Sequence, residues 1–329
     1  DLDKLIFVFV SLIYIFISFY LIKSVKYIEN SYANLLIFFS PGFFIYPIMN
    51  SGIVGRKDIL IIFCVAFFVF CEKKISNKFI LPSFILSIII LCLSHSGFVF
   101  YTPYLIFLYI LIKYKRNFEI KNLEIISIIS TIICTVLFIQ YFSGSEIIVE
   151  KICLSVKEFV SGGCGKFDQI YHIQSNLKYR LVEKINFGKI YLIKYFFVYT
   201  LSTFIVFFFL STTFFNSKFN IKIFNLKNIN PFLILLLLFT LTLPVYVIGR
   251  DWGRYIYISY SSSFFIYIYC LKEKILIVNK YNLLLIKNLS KISFIMLLFF
   301  YSFFLTFPFY DPSSFKITLK KPLKSLIKK

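Results

Sequence analysis

The sequence predicts an all-α polytopic membrane protein with about ten transmembrane helices and one large external loop. Hydrophobic residues make up 59% of the chain and charged residues only 16%, and the mean hydropathy is +0.84. Segments such as Phe232–Ile248 and Ile292–Phe309 approach the roughly 20 apolar residues that cross about 30 Å of hydrocarbon. A soluble domain of this length would carry far more polar surface.

The apolar segments follow one another along the chain with short polar connections. We place spans near residues 5–22, 33–50, 58–71, 79–94, 97–112, 123–142, 191–215, 231–248, 255–271 and 292–309. They define an N-terminal transmembrane bundle (1–142), a long external loop (143–190), a C-terminal transmembrane bundle (191–309) and a basic tail (310–329).

The net charge of +21 predicts an orientation in the membrane and not a nucleic-acid partner, because the cations cluster in short connections between spans. The most basic connections are expected on the cytoplasmic face: Glu72–Lys78, Lys113–Asn122, Asn216–Asn230 and Lys272–Lys291. The opposite face then receives Asn50–Asp58, Ser94–Gly97, residues 143–189 and Gly249–Arg254. Every unusual polar motif is therefore predicted on one face.

The basic tail Tyr310–Lys329 does not fit this scheme, because an even number of spans leaves its six lysines outside. Two explanations remain open. Either Ile275–Ile286 forms an additional re-entrant or interfacial element, or the tail is an external amphipathic anchor on anionic lipid headgroups.

Two of the seven cysteines lie apart from the apolar spans, in the long external segment. Cys153 and Cys164 can close a loop by a disulfide in an oxidising compartment, and two unpaired thiols are the alternative. The other five lie in or beside spans, where a thiol behaves as a small hydrophobic group.

The segment Gly249–Arg254 is the first candidate site, because it places three charges and the only tryptophan between two apolar runs. If a helix starts near Trp252, Arg250 and Arg254 share one face, and Asp251 can pair with Arg254. Guanidinium groups at a helix N-terminus suit a phosphate-containing anion, and Asp251 would act as a base or orient an arginine. The alternative is an interfacial anchor formed by the aromatic residues.

The second candidate is the glycine-rich turn that carries Arg56 and Lys57, followed by Asp58 at the start of the next span. Glycine and proline on both sides loosen the preceding helix, which we therefore expect to line a cavity. An ordinary capped turn is the alternative.

The third candidate is His95, in a tight turn between two spans, which can serve as a general base near neutral pH. A structural histidine at a helix end is the more common case. His172, in the long loop, is a weaker candidate. No group of histidine, cysteine and carboxylate residues has the spacing of metal ligands, so neither a metal nor another cofactor is expected.

Taken together, these motifs resemble bacterial surface-polysaccharide polymerases of the Wzy type and related multispanning glycan-assembly proteins. The resemblance implies metal-independent polymerisation or transfer of glycan units between undecaprenyl-diphosphate-linked substrates, in a bacterial inner membrane and alongside other polysaccharide-assembly proteins. Arg56, Lys57, Arg250 and Arg254 would hold the diphosphate, and His95 or Asp251 would activate the acceptor hydroxyl. Unlike a paired catalytic histidine, His95 has no adjacent carboxylate in the sequence.

Three other functions remain open. A polyprenyl-phosphosugar-dependent glycosyltransferase would carry an acidic catalytic residue in its first external loop, for which Asp1 and Asp3 are candidates. A transporter of anionic lipid or glycolipid is less favoured, because ion-coupled transporters usually carry ionisable residues within their spans, and acids are nearly absent from the spans here. A purely structural membrane protein is the fourth reading.

Overall fold

The computed structural model describes residues 2–27, 32–43, 46, 57–142, 146–156, 189–220, 229–249, 251–278 and 289–304. Helices dominate them: α1 (Leu2–Val25), α2 (Tyr32–Phe38), α3 (Asp58–Cys71), α4 (Asn77–Ser94), α5 (Thr102–Lys115), α6 (Asn122–Tyr141), α7 (Glu146–Val156), α8 (Lys189–Phe215), α9 (Pro231–Thr240), α10 (Leu243–Ile248), α11 (Trp252–Lys272) and α12 (Lys291–Phe299). Short 3₁₀ turns cover Glu72–Lys74 and Ser96–Tyr101, and a π-helical turn, Phe300–Phe304, follows α12.

Within this part of the chain, six helical segments are long and apolar enough to cross a membrane: Val8–Val25, Asn77–Ser94, Ser96–Lys115, Asn122–Tyr141, Ile193–Phe215 and Pro231–Ile248. The protein is thus a mainly helical, integral membrane protein. The expected number of ten spans is not confirmed. Helix α3 has only 14 residues, and α11 is rich in tyrosine and serine, so neither has the length and composition of an independent span.

Helices α3 and α11 form the centre of the bundle. Helix α11 is buried from Gly253 to Cys270, and small residues such as Ala66 on α3 and Ser261 on α11 are fully enclosed. Small side chains allow helix backbones to approach closely inside a membrane, where packing and not water exclusion drives association. A tyrosine- and serine-rich helix is therefore tolerated because its neighbours surround it.

The two central helices run parallel, because ion pairs join their matching ends. Asp58, at the start of α3, pairs with Arg254 in the first turn of α11. Glu72, just after α3, pairs with Lys272 at the end of α11. Asn77 begins α4 beside the second pair, so α4 returns antiparallel to α3 and ends at the first pair.

One small sheet lies at the end of the bundle that carries Glu72. Strand β1 (Ser217–Phe219) pairs antiparallel with β2 (Leu276–Val278), with Lys218 opposite Ile277. Within Ile275–Ile286, the segment considered as a re-entrant or interfacial element, Leu276–Val278 is thus a strand, and residues 279–286 are not described. Because residues 279–288 and the tail 310–329 are not described, both explanations of the tail stay predictions.

Of the long loop, the structure describes residues 146–156 and 189–190. Glu146–Val156 is helical. Cys153 on that helix is disulfide-bonded. Cys164 and His172 lie outside the described residues, so the Cys153–Cys164 pairing and the domain boundaries stay predictions.

Candidate functional site

Four polar side chains from three segments, Asp58, His95, Asp251 and Arg254, meet at one end of the central helices, and we call them the Arg254 cluster. The Nε of Arg254 lies 3.0 Å from Oδ2 of Asp58, and its Nη1 lies 2.6 Å from Oδ2 of Asp251. Its Nη2 lies 3.2 Å from Nε2 of His95. One guanidinium group therefore joins the start of α3, the end of α4 and the start of α11.

The backbone before α11 explains how Asp251 reaches this cluster. Helix α10 ends at Ile248, and Asp251 is the residue before the first turn of α11, three positions from Arg254. A Cβ added to Gly249 would collide with the Tyr255 phenol, so glycine allows that ring to pack against the turn. The Trp252 indole nitrogen donates to the Gly249 carbonyl at 3.2 Å, which ties the turn to the helix.

His95 has an extended backbone between α4 and the 3₁₀ turn. Its Nδ1 accepts a hydrogen bond from the Gly97 backbone N–H at 3.0 Å, and a Cβ on Gly97 would lie 2.9 Å from the His95 ring. Both ring nitrogens therefore face N–H groups, one of Gly97 and one of Arg254. Because a neutral imidazole has only one acceptor nitrogen, at most one of these two contacts is a hydrogen bond to the neutral ring.

The cluster is buried unevenly. The side chains of Arg254 and Asp58 are 8% and 2% exposed, whereas that of Asp251 is 26% exposed. With a neutral His95, two carboxylates face one guanidinium, which leaves a formal excess of one negative charge. Such an arrangement is stabilised by additional cations nearby, because charge is poorly screened away from water.

Lys57 is the described cation at the rim of the cluster. Its side chain is exposed, and Nζ donates to the Ser94 carbonyl at 2.9 Å, which ties the start of α3 to the end of α4. Arg56 and Arg250 lie outside the described residues. They are covalently bonded to Lys57 and Asp251, so they belong to the same two connections.

An aromatic wall adjoins the cluster. The Trp252 ring centre lies 5.0 Å from that of Tyr195, 5.7 Å from Tyr199 and 5.6 Å from Tyr246. The guanidinium carbon of Arg254 lies 5.5 Å from the Tyr255 ring centre. Trp252 is therefore packed among tyrosines, and the alternative of an interfacial aromatic anchor stays open.

The structure thus brings together three of the candidate residues, His95, Asp251 and Arg254, with Lys57 at the edge. Sequence reasoning placed Asp58 only at a helix start and missed its carboxylate as a partner of Arg254. The available signal was an isolated acid at the beginning of an otherwise apolar span. All three guanidinium nitrogens of Arg254 already contact protein groups, so its direct contact with diphosphate stays a prediction.

Among the described residues, no group of three or more histidine, cysteine, aspartate or glutamate side chains is arranged to hold a metal ion.

Comparison with known proteins found no matching family model, no matching curated protein and no matching solved structure. The chemistry of the Arg254 cluster is one of carboxylates and an imidazole held in place by a buried cation. Groups of this kind accept protons, and the neighbouring cations can bind an anion.

Proposed function

We propose that the chain polymerises or transfers glycan repeat units carried on a lipid diphosphate, without a metal ion, for surface polysaccharide synthesis. The observation that supports this function is the convergence of His95, Asp251 and Asp58 on the buried guanidinium of Arg254. Transfer from a lipid diphosphate needs a proton acceptor for the attacking hydroxyl and cations for the departing diphosphate. The cluster and its flanking residues contain both.

In the proposed reaction, the acceptor hydroxyl oxygen bonds to the anomeric carbon of the donor glycan. The bond from that carbon to the diphosphate oxygen breaks, and the lipid diphosphate leaves with the electron pair. The hydroxyl proton passes to a carboxylate or imidazole of the cluster. Atoms and charge balance without any redox step, so no further co-reactant is required.

Of the two candidates for the proton acceptor, Asp251 and His95, we prefer Asp251. Its carboxylate is the more exposed of the two carboxylates in the cluster, because Asp58 is enclosed and serves as a fixed counter-ion of Arg254. His95 is held between Gly97 and Arg254, which suits a positioning residue that keeps the turn in register. We assign the base to Asp251 and a positioning role to His95.

The diphosphate is assigned to the cations of the flanking connections: the exposed Lys57, and Arg56 and Arg250 next to it and to Asp251 in the sequence. Arginine gives bidentate contacts to phosphate oxygens, and Lys57 adds a point charge next to the start of α3. Arg254 then acts through Asp251 and His95 by holding both in place. The lipid substrate implies a membrane location, for which we propose a bacterial inner membrane with other polysaccharide-assembly proteins as partners.

The test is reconstitution of the purified protein in liposomes with a panel of fluorescent undecaprenyl-diphosphate-linked oligosaccharides. A ladder of longer glycans that persists in excess EDTA supports the proposal. Asp251→Asn should lower the rate of elongation at least 100-fold, in the range of general base catalysis. Lys78→Gln, which removes an exposed lysine at the other end of the bundle, should leave the ladder unchanged.

Two results would contradict the proposed function, and a third would reassign the base. Transfer of a single sugar from a polyprenyl phosphosugar, without a ladder, would identify the transferase. Movement of labelled lipid between leaflets without glycan transfer would identify a transporter. Full elongation by Asp251→Asn together with loss in His95→Gln, and a pH–rate profile that changes with His95, would move the base to the histidine.

A further inference from the structure

A cavity of about 410 Å³ lies at the other end of the central helices, and we call it the basic cavity. Its walls are Glu72, Lys73, Asn77, Lys115, Arg116, Phe118 and Glu273. The end of α3, the start of α4 and the ends of α5 and α11 therefore meet around it. Its volume falls within the roughly 300–1,000 Å³ range of small-molecule sites.

The two carboxylates of the basic cavity are already neutralised by the protein. Glu72 lies 3.3 Å from the Arg116 guanidinium and 3.2 Å from the Lys272 ammonium. Glu273 lies 2.9 Å from Lys73 and 3.5 Å from Lys272. Both acids are buried, at 3% and 5% exposure. They are therefore permanent counter-ions of the helix ends and leave little negative charge for a ligand.

Cations exceed carboxylates at this site. Three cations line the cavity, Lys73, Lys115 and Arg116, and a fourth, Lys272, pairs with both carboxylates. These four positive charges face only two negative charges, those of Glu72 and Glu273. The hydrogen bond to Glu273 raises the pKa of Lys73, which keeps that ammonium charged. The formal excess of two positive charges favours an anionic ligand.

Lys115 is the cation best placed to supply that charge. Its side chain is exposed, and its ammonium donates to the Glu273 backbone carbonyl at 2.8 Å. Among the described residues, no carboxylate forms an ion pair with it. Two of its three N–H donors remain for a ligand, whereas Arg116 is fixed by contacts with Ile75, Asn77 and Glu72.

The wall formed by the start of α4 adds neutral donors. Ser76 precedes the helix without a side-chain cap. Its backbone carbonyl accepts from the Phe79 N–H at 2.9 Å, so the N–H groups of Asn77 and Lys78 are the ones that lie before the first bonded donor of α4. The Oδ1 of Asn77 accepts from Arg116 at 2.6 Å, which leaves the amide N–H groups as donors. Phe118, 43% exposed at the wall, offers an apolar surface.

We propose that the basic cavity binds a phosphate group, supplied by the headgroup of an anionic phospholipid. Cationic pockets between the ends of transmembrane helices suit such headgroups, with the phosphate on lysine and backbone donors and the glycerol against an apolar side chain. The site lies at the far end of α3 from the Arg254 cluster and does not rest on the proposed function.

The experiment is native mass spectrometry of the delipidated full chain with phosphatidylglycerol or phosphatidylcholine. We expect phosphatidylglycerol to bind preferentially, and Lys115→Gln to weaken its binding about fivefold, the effect of one basic residue beside anionic lipid. Lys78→Gln is the matched control, because Lys78 is also exposed at the start of α4 but does not line the cavity. Equal weakening by both variants would overturn the proposal.

A second measurement uses the unmodified chain, in case Lys115→Gln does not fold. Amine acetylation in nanodiscs should be slower at Lys115 and Lys73 when phosphatidylglycerol replaces phosphatidylcholine, with Lys78 as reference. Protection by inorganic phosphate in phosphatidylcholine nanodiscs, without protection by phosphatidylglycerol, would support phosphate binding but name the free ion as the source. No protection by either would refute the site.

Discussion

The sharpest prediction concerns Asp58, whose enclosed carboxylate faces Arg254 at 3.0 Å. The variant Asp58→Asn keeps the size of the side chain and removes its charge. At 3.0 Å and an effective dielectric constant of about 20, the lost Coulomb attraction is about 5.5 kcal/mol. Because Arg254 keeps its contact with Asp251 at 2.6 Å, part of that loss is recovered. We expect the free energy of unfolding to fall by about 3 kcal/mol, the lower end of the cost of breaking a buried pair.

The assay is steric trapping of the unfolded state in bicelles, which measures unfolding without leaving the lipid environment. A loss of about 3 kcal/mol raises the unfolding equilibrium constant roughly 150-fold. Asp251→Asn is the matched control, because the same guanidinium loses a more exposed carboxylate. That variant should cost about 1 kcal/mol or less, as partly solvated pairs do.

The double variant Asp58→Leu with Arg254→Met separates a buried charge from a lost contact. Since both charges disappear, it should be more stable than either single variant. The reasoning would be refuted if Asp58→Asn cost no more than Asp251→Asn. It would also be refuted if the loss of unfolding free energy in the double variant equalled the sum of the losses in Asp58→Leu and in Arg254→Met.

Four further substitutions test other contacts of the structure. Gly249→Ala should displace the Tyr255 phenol and lower the thermal midpoint measured in detergent, because the new Cβ has no room. Tyr260→Phe removes a 2.7 Å hydrogen bond to a backbone carbonyl and should lower the free energy of unfolding, measured by steric trapping, by about 0.5–1.5 kcal/mol. Tyr104→Phe should lower it less, because the Tyr104 hydroxyl has no hydrogen-bond partner of good geometry. Glu72→Gln leaves Arg116 without its carboxylate and Lys272 with Glu273 alone. It should destabilise the chain more at low salt than at high salt, measured by the same assay.

The apolar helices that face lipid were predictable because membrane thickness constrains them. The prediction of a span near residues 123–142 corresponds to α6 at Asn122–Tyr141, and that near 79–94 corresponds to α4 at Asn77–Ser94. Both are apolar along their length, with few buried residues, so composition alone defines them. Helix α11 was also predicted near 255–271, although its polar composition resembles that of a soluble helix. There, as for the other spans, the prediction rested on hydropathy, and the charges at the two ends are the residues that pair.

The candidate site was predictable only in part. Helix spacing sufficed for the Asp251–Arg254 pair, because residues three apart in a helical turn are neighbours. The contact of Arg254 with His95 joins positions 159 residues apart, and no local pattern encodes it. The β1–β2 pair is a similar case, because each strand has three residues and pairs with a distant one. Such contacts depend on how whole helices pack.

The length of α3 explains why both charged groups of residues lie recessed. Its 14 residues rise about 21 Å, whereas the hydrocarbon core is about 30 Å thick. Asp58 and Glu72 at its two ends are therefore drawn inward, and the long side chains of Arg254 and Lys272 reach them from the longer α11. Charges so placed are costly unless paired, and their fields are weakly screened. In the proposed transfer, a proton acceptor beside Arg254 would therefore operate in a recess of low dielectric constant, where fixed charges would act on a departing diphosphate more strongly than at the membrane surface.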